Sequence, residues 1–162
     1  PQEVMSLATN PANIAFVPPL RVVLDPGLAT VGRGRIRDGA APTLYLHAAT
    51  AKPPRGFDAA HAIVPMRDGL LDLPAVMRLL AARGINEVQV EAGATLAGAL
   101  LRADLVDEVL LYVAPILLGA DARPLFDGLQ IDEMAQRLRL QTVETRRLGD
   151  DLRLLLRPER GA

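Results

Sequence analysis

The run Glu91-Ala92-Gly93-Ala94-Thr95-Leu96-Ala97-Gly98-Ala99 gathers an acid, small residues and a hydroxyl at one corner of the chain. The chemistry such a corner could do is anion binding. A helix N-terminus has backbone N–H groups with no intrahelical partner and carries the positive end of the helix dipole. Gly93 and Ala94 leave the backbone open to a phosphate. Thr95 adds a hydroxyl, either as N-cap or as a phosphate donor. Gly98 and Ala99 allow close packing against a sheet or a cofactor. Glu91 stands at the C-terminal end of an apolar run, where α/β sheets place their ligands. A partly buried carboxylate needs donors, since an unpaired buried charge is very costly. Glu91 therefore reads either as an acceptor for N–H or hydroxyl groups of a polar ligand, or as a solvated or salt-bridged strand end.

The elements that must position this corner follow from periodicity. Glu87-Val88-Gln89-Val90-Glu91 alternates like a strand, and 95–103 reads as a helix with Leu96, Ala99, Leu100 and Ala103 on one face. Ahead of them, Asp72 as N-cap, Pro74 in the first turn and Gly84 as stop bracket another helix. Leu20-Arg21-Val22-Val23-Leu24 is a strand closed by Asp25-Pro26-Gly27; 43–48 and 61–65 are further strand candidates. Val109-Leu110-Leu111-Tyr112-Val113-Ala114 is the most strand-like run, and its continuous apolar character implies burial on both faces. Late strands at 138–145 and 152–157 flank Gly149-Asp150-Asp151, which predicts a hairpin. Strands alternating with loops and helices, then a hairpin, predict an α/β fold with a mainly parallel sheet and an antiparallel edge. Residues 1–19 read as an extended or poorly ordered lead-in.

Composition removes several classes. The 162 residues carry 18 Lys and Arg against 19 Asp and Glu, a net charge of -1, which speaks against nucleic acid as a partner. There is no Cys, so disulfides, iron–sulfur clusters and Cys-bound zinc are excluded, and two His cannot build a His-rich metal site. Apolar runs of roughly ten residues are too short to span a bilayer. No secretory signal is expected. The reading is a soluble, cytoplasmic protein with no metal and no membrane partner.

The blocks Val90-Glu91-Ala92-Gly93-Ala94-Thr95-Leu96-Ala97-Gly98-Ala99-Leu100-Leu101, Leu105-Val106-Asp107-Glu108 and Ala114-Pro115-Ile116-Leu117-Leu118-Gly119 occur in one order and spacing. With Leu20-Arg21-Val22-Val23-Leu24-Asp25 and Ala120-Asp121-Ala122-Arg123-Pro124-Leu125-Phe126, they resemble the reductase domain of the bifunctional riboflavin-biosynthesis deaminase–reductase. The similarity runs over about residues 20–157 and implies one reductase-like domain over 20–158. It implies a dihydrofolate-reductase-like fold, with helices on both faces of the sheet. The implied activity is NADPH-dependent reduction of 5-amino-6-(5-phosphoribosylamino)uracil to the ribityl product. The family's substrate-binding glutamate falls on Glu91, and its cofactor loop on Gly93, Ala94, Thr95, Leu96, Ala97, Gly98 and Ala99. Pro26 takes the place of a family Ser or Thr beside the cofactor, so a hydroxyl is lost there.

Two departures accompany the resemblance. The zinc-binding deaminase half, which needs Cys, is expected to be absent. Met5-Ser6-Leu7 leads into Ala8-Thr9 where the family has Asp-Gly, so much of the substrate-binding opening segment is expected to be missing. The alternative is thus a catalytically impaired nucleotide-binding or dimerisation module of the same fold, and a third reading is a reductase of a pterin-like ring. A homodimer is expected, through 109–114 or the leucine-rich tail.

The remaining polar candidates have plainer readings beside sharper ones. Asp25 is a turn former before Pro26-Gly27, or a proton donor; no catalytic acid is assigned. Arg33, Arg35 and Arg37 form a solvated basic face, or a clamp for the cofactor's 2′-phosphate or the substrate's 5-phosphate, with Lys52 a weaker candidate. His47 and His61 read as satisfied structural histidines. Asp107-Glu108 reads as capping and surface charge, and Asp121 with Arg123 as a local pair.

Overall fold

A computed structural model describes residues 17–31, 36 and 39–159 of the chain. Two compact units divide it, Pro1–Asp72 and Leu73–Ala162. In the first unit, β1 (Arg21–Leu24), β2 (Thr43–His47) and β3 (Ala60–Ile63) form a parallel sheet in the order β1-β2-β3. Arg21 pairs with Thr43 and Leu44 with Ala60. The central strand is the apolar one. Leu44, Tyr45, Leu46 and His47 are all essentially inaccessible, as expected of a parallel strand with neighbours on both edges. Tyr45 packs with Leu28 and Val31, and its ring meets Phe57 edge-on at 5.4 Å. A short antiparallel pair follows, β4 (Met66–Arg67) and β5 (Leu70–Leu71). Asp68 and Gly69 between them both take positive φ (50° and 79°), the requirement of a type I′ turn.

The second unit opens with α1 (Leu73–Ala82), whose Leu73, Val76 and Leu80 form one buried stripe. It ends as expected at Gly84, where φ is +78°. Gly84 N–H donates to Ala81 O and Ile85 N–H to Leu80 O, the paired bonds of a Schellman cap. The second helix, α2 (Ala94–Arg102), stops by the same device without a glycine: Asp104 holds φ +53° while Leu105 N–H reaches Leu100 O. A non-glycine residue in the left-handed region is strained by roughly 1 kcal/mol. Asp104→Gly is therefore expected to raise the unfolding free energy by about 0.5–1 kcal/mol, read from urea melts; a loss of stability would show that the Asp104 side chain contributes more than the strain costs.

β6 (Val109–Val113), β7 (Leu140–Leu148) and β8 (Asp151–Pro158) make an antiparallel sheet in the order β6-β8-β7. The predicted hairpin is β7–β8. Leu148 pairs with Asp151 across Gly149 and Asp150, and Gly149 supplies the positive φ of 63° at the first loop position. A parallel sheet and a C-terminal hairpin are thus both present, and β6 pairs in the antiparallel sheet with the hairpin.

Two expectations are corrected. Residues 87–91 are not a strand: no ladder engages 85–93, and Val88 and Val90 are 41% and 44% exposed. Alternation supplies two faces but not a hydrogen-bonding neighbour, and no described strand comes into register with this segment. Nor is β6 buried on both faces: it pairs only with β8, and Leu110, Tyr112 and Val113 are exposed.

Candidate functional site

The start of α2 is built for an acceptor from outside the helix. Gly93 is its N-cap, in an ordinary extended conformation (φ −73°, ψ 170°), and its carbonyl takes the first helical bond from Ala97 N–H at 3.1 Å. No side chain caps the helix. The amides of Ala94, Thr95 and Leu96 therefore have no partner among the described residues. A Cβ built at Gly93 would meet nothing, so glycine here leaves space open rather than relieving a clash.

A second wall faces this turn. Asp127 N–H donates to Ala94 O at 3.1 Å, and Arg102 reaches from the last turn of α2 to Gly128 O. Gly98 makes the approach possible, because a Cβ there would lie 1.9 Å from Asp127 O. Between the two walls is a cleft of about 520 Å³, lined by Ala92, Gly93, Ala94 and Thr95 on one side and Arg123, Pro124, Leu125 and Asp127 on the other. Free amides with the positive end of a helix dipole, and an arginine in the facing wall, are groups whose chemistry suits an anion.

The sequence-predicted residues divide at this corner. Gly93, Ala94 and Thr95 line the cleft, and Leu96 adds its free amide. Thr95 is not the N-cap, which is Gly93; its hydroxyl is left as a donor. Ala97 N–H is spent on Gly93 O. Gly98 and Ala99 are buried, and Gly98 packs against the Asp127 backbone. Glu91 is exposed, in line with the solvated one of its two readings, and accepts a bond from Gln89 Nε2 at 3.1 Å. It is not among the residues lining the cleft. Among the described residues Arg123 shows no pairing with Asp121, contrary to expectation; it lines the cleft instead, together with Pro124, Leu125 and Asp127, and none of these was singled out from sequence as a binding residue.

In the first unit, Asp25 is a structural acceptor. Its carboxylate takes bonds from Ala29 N–H (2.9 Å), Thr30 N–H (2.7 Å) and the Thr30 hydroxyl (2.7 Å). Burial opposes its ionisation, but the Thr30, Ala29 and Gly27 donors outweigh it and hold the carboxyl below its ordinary 3.8. An ionised acceptor of this kind is not poised as a proton donor. Because the folded value is depressed, the stabilisation is complete above the unfolded pKa and is lost as pH falls through the folded one. Asp25→Ala is expected to cost about 2–3 kcal/mol at neutral pH and to flatten the acid limb of the stability–pH curve. Denaturant melts from pH 7 to 3 check it; an unchanged acid limb would remove Asp25 from this role.

Pro26 follows it, half-buried, its carbonyl accepting Ala48 N–H at 3.1 Å. His47, fully buried, has Nδ1 2.9 Å from Ala48 O and Nε2 3.0 Å from His61 Nδ1. A carbonyl only accepts, so His47 Nδ1 carries the proton; in the neutral ring Nε2 then accepts from His61 Nδ1–H. Both histidines are satisfied, as expected. Glu108 accepts two bonds from Arg157, consistent with surface charge. Lys52 is exposed. Arg33, Arg35 and Arg37, and the segment Met5–Thr9, lie outside the described residues. Among the described residues, no cluster of three or more His, Asp or Glu could hold a metal, and no helix is long and apolar enough to cross a membrane.

Residues 2–154 match the family described as the RibD C-terminal domain. The chain belongs to this family. It is 45% identical over 94 residues to the Escherichia coli riboflavin biosynthesis protein RibD, covering 58% of this chain and 26% of that protein. It is 36% identical over 137 residues to the 2,5-diamino-6-ribosylamino-4(3H)-pyrimidinone 5′-phosphate reductase of Methanothermobacter thermautotrophicus, covering 83% and 63%. The chain therefore spans only part of these relatives. Among solved structures, the diaminohydroxyphosphoribosylaminopyrimidine deaminase/5-amino-6-(5-phosphoribosylamino)uracil reductase of Thermotoga maritima superposes with a TM-score of 0.69 at 20% identity, covering 88% of this chain and 38% of that one. The RibD C-terminal domain fold, dihydrofolate-reductase-like and mixed α/β, is thus shared. The family match spans both walls of the cleft.

Proposed function

We propose that this chain reduces 5-amino-6-(5-phosphoribosylamino)uracil to its ribityl product in riboflavin biosynthesis, using NADPH. The observation that carries the reading is the set of three amides at the start of α2 that have no partner among the described residues, opening on a cleft. They suit the cofactor's diphosphate. When bound, NADPH supplies a hydride; the chain's residues bind, orient and exclude water. Gly93, Ala94, Thr95 and Leu96 hold the diphosphate, while Ala97, Gly98 and Ala99 keep the helix seated behind it. Pro26 offers the cofactor a backbone or van der Waals contact, and Glu91 accepts from the substrate's polar groups. Exposure leaves the Glu91 carboxylate accessible for that purpose.

A homodimer and a cytoplasmic location go with this reading. The exposed apolar face of β6 and the following Ile116, Leu117 and Leu118 suit a second copy of the chain, which sedimentation tests. The activity test has two steps on the full chain: NADPH binding by fluorescence, then NADPH consumption with the pyrimidine. Binding with turnover is expected. Binding without turnover would instead support an impaired nucleotide-binding module, and no NADPH binding would defeat the reading altogether.

A further inference from the structure

Resting on the cofactor reading above, we propose that Arg123 is a binding residue for the cofactor's diphosphate, supplying the full positive charge that the α2 amides lack. A helix N-terminus offers roughly half an elementary charge, whereas a diphosphate brings two negative ones. The amides alone leave most of that charge uncompensated. The far wall of the cleft carries one cation, Arg123, and one carboxylate, Asp127. Asp127 repels an anion, so the wall attracts one only through Arg123. Among the described residues no hydrogen bond or ion pair engages Arg123, and Asp121 two residues away does not pair with it. The residue is exposed.

The wall is also held in place. Asp127 N–H is bonded to Ala94 O, on the first residue of α2, and the missing side chain of Gly98 lets the Asp127 backbone sit against the helix. Pro124 removes one backbone rotation next to Arg123. A guanidinium on an anchored loop loses less freedom on binding than one on a free loop. The diphosphate is the phosphoryl group concerned, because on the cofactor reading it alone shares the cleft with the amides. A 2′-phosphate or the substrate's 5-phosphate would be read elsewhere.

The test compares Arg123→Ala and Arg123→Lys with the unmodified full chain. Direct titrations of NADPH and NADH are read by fluorescence, beside steady-state kinetics. Arg123→Ala is expected to weaken both dinucleotides by the same factor, about tenfold or more, with Lys intermediate. The KM for the pyrimidine and the kcat at saturating NADPH stay within about twofold, as uniform binding loss requires. Weakening of NADPH alone would place Arg123 on the 2′-phosphate and overturn the proposal, as would a rise confined to the pyrimidine KM. Equal affinities in all three proteins would make Arg123 a bystander while leaving the α2 site standing. Failure of the unmodified chain to bind either dinucleotide would instead remove the cofactor reading itself, and this inference with it.

Discussion

Gly93→Asp is expected to lower NADPH affinity by about a hundredfold while leaving the fold as stable as before or slightly more stable. The two effects separate because they act on different partners. A Cβ at Gly93 meets no atom within 4 Å, and φ −73° is open to any residue, so nothing steric or conformational opposes the change. Asp is a preferred N-cap, better than Gly by a few tenths of a kcal/mol, and a negative charge favours the helix dipole. The same carboxylate would stand where the proposed reading seats a diphosphate. Two unit charges 4 Å apart at an effective dielectric of 20 repel by about 4 kcal/mol, and ionic screening leaves roughly the 2.7 kcal/mol that a hundredfold loss requires. Gly93→Ser is the graded control. Its hydroxyl would occupy one of the free amides without adding charge, and a loss of about three- to tenfold is expected. Fluorescence titration and thermal melting of the same samples decide it: unaltered NADPH affinity in Gly93→Asp would separate the α2 amides from the cofactor.

The sequence made this corner legible because its signals are local. Gly93 and Ala94 precede a helical period, which marks a helix start from those residues alone, although the cap falls on Gly93 and not on Thr95. Gly84 was legible as a helix end because only glycine takes φ +78° without strain. Asp104, which ends α2 in the same conformation, carries no such mark. The Asp68-Gly69 turn has a hairpin signature, but the strands it joins are two residues each, too short for alternation to be seen. The misreading at 87–91 has the opposite cause. Val88 and Val90 alternate as a strand should, yet pairing depends on a neighbour distant in sequence, and periodicity is silent about that. Arg123 was missed for a related reason: residues 119–128 have no period, and what brings them to α2 is a backbone contact at Gly98. The available clue was Gly98 itself, since a glycine inside a helix costs about 1 kcal/mol relative to Ala and so points to close packing.

That clue makes Gly98→Ala the sharper test of how the cleft is assembled. Helix propensity alone favours the alanine variant by about 1 kcal/mol. The opposite is expected, because the new Cβ would lie 1.9 Å from Asp127 O and 3.0 Å from its carbonyl carbon. Both are backbone atoms, so no side chain can rotate away. Either α2 shifts or the 123–127 wall lifts, breaking the Asp127 N–H bond to Ala94 O. Overpacking of this kind costs about 1–3 kcal/mol, and with rigid backbone on both sides the upper half of that range applies, which leaves a net loss of about 1–2 kcal/mol after the propensity gain. Lifting the wall would also draw Arg123 away from the amides, so NADPH affinity should fall alongside stability. Gly93→Asp should therefore lose affinity without stability, while Gly98→Ala loses both. Denaturant melts and NADPH titrations on the two variants read this contrast directly. A Gly98→Ala variant stabilised by about 1 kcal/mol, as propensity alone dictates, would mean that the loop does not rest on the helix and that the cleft lacks its second wall.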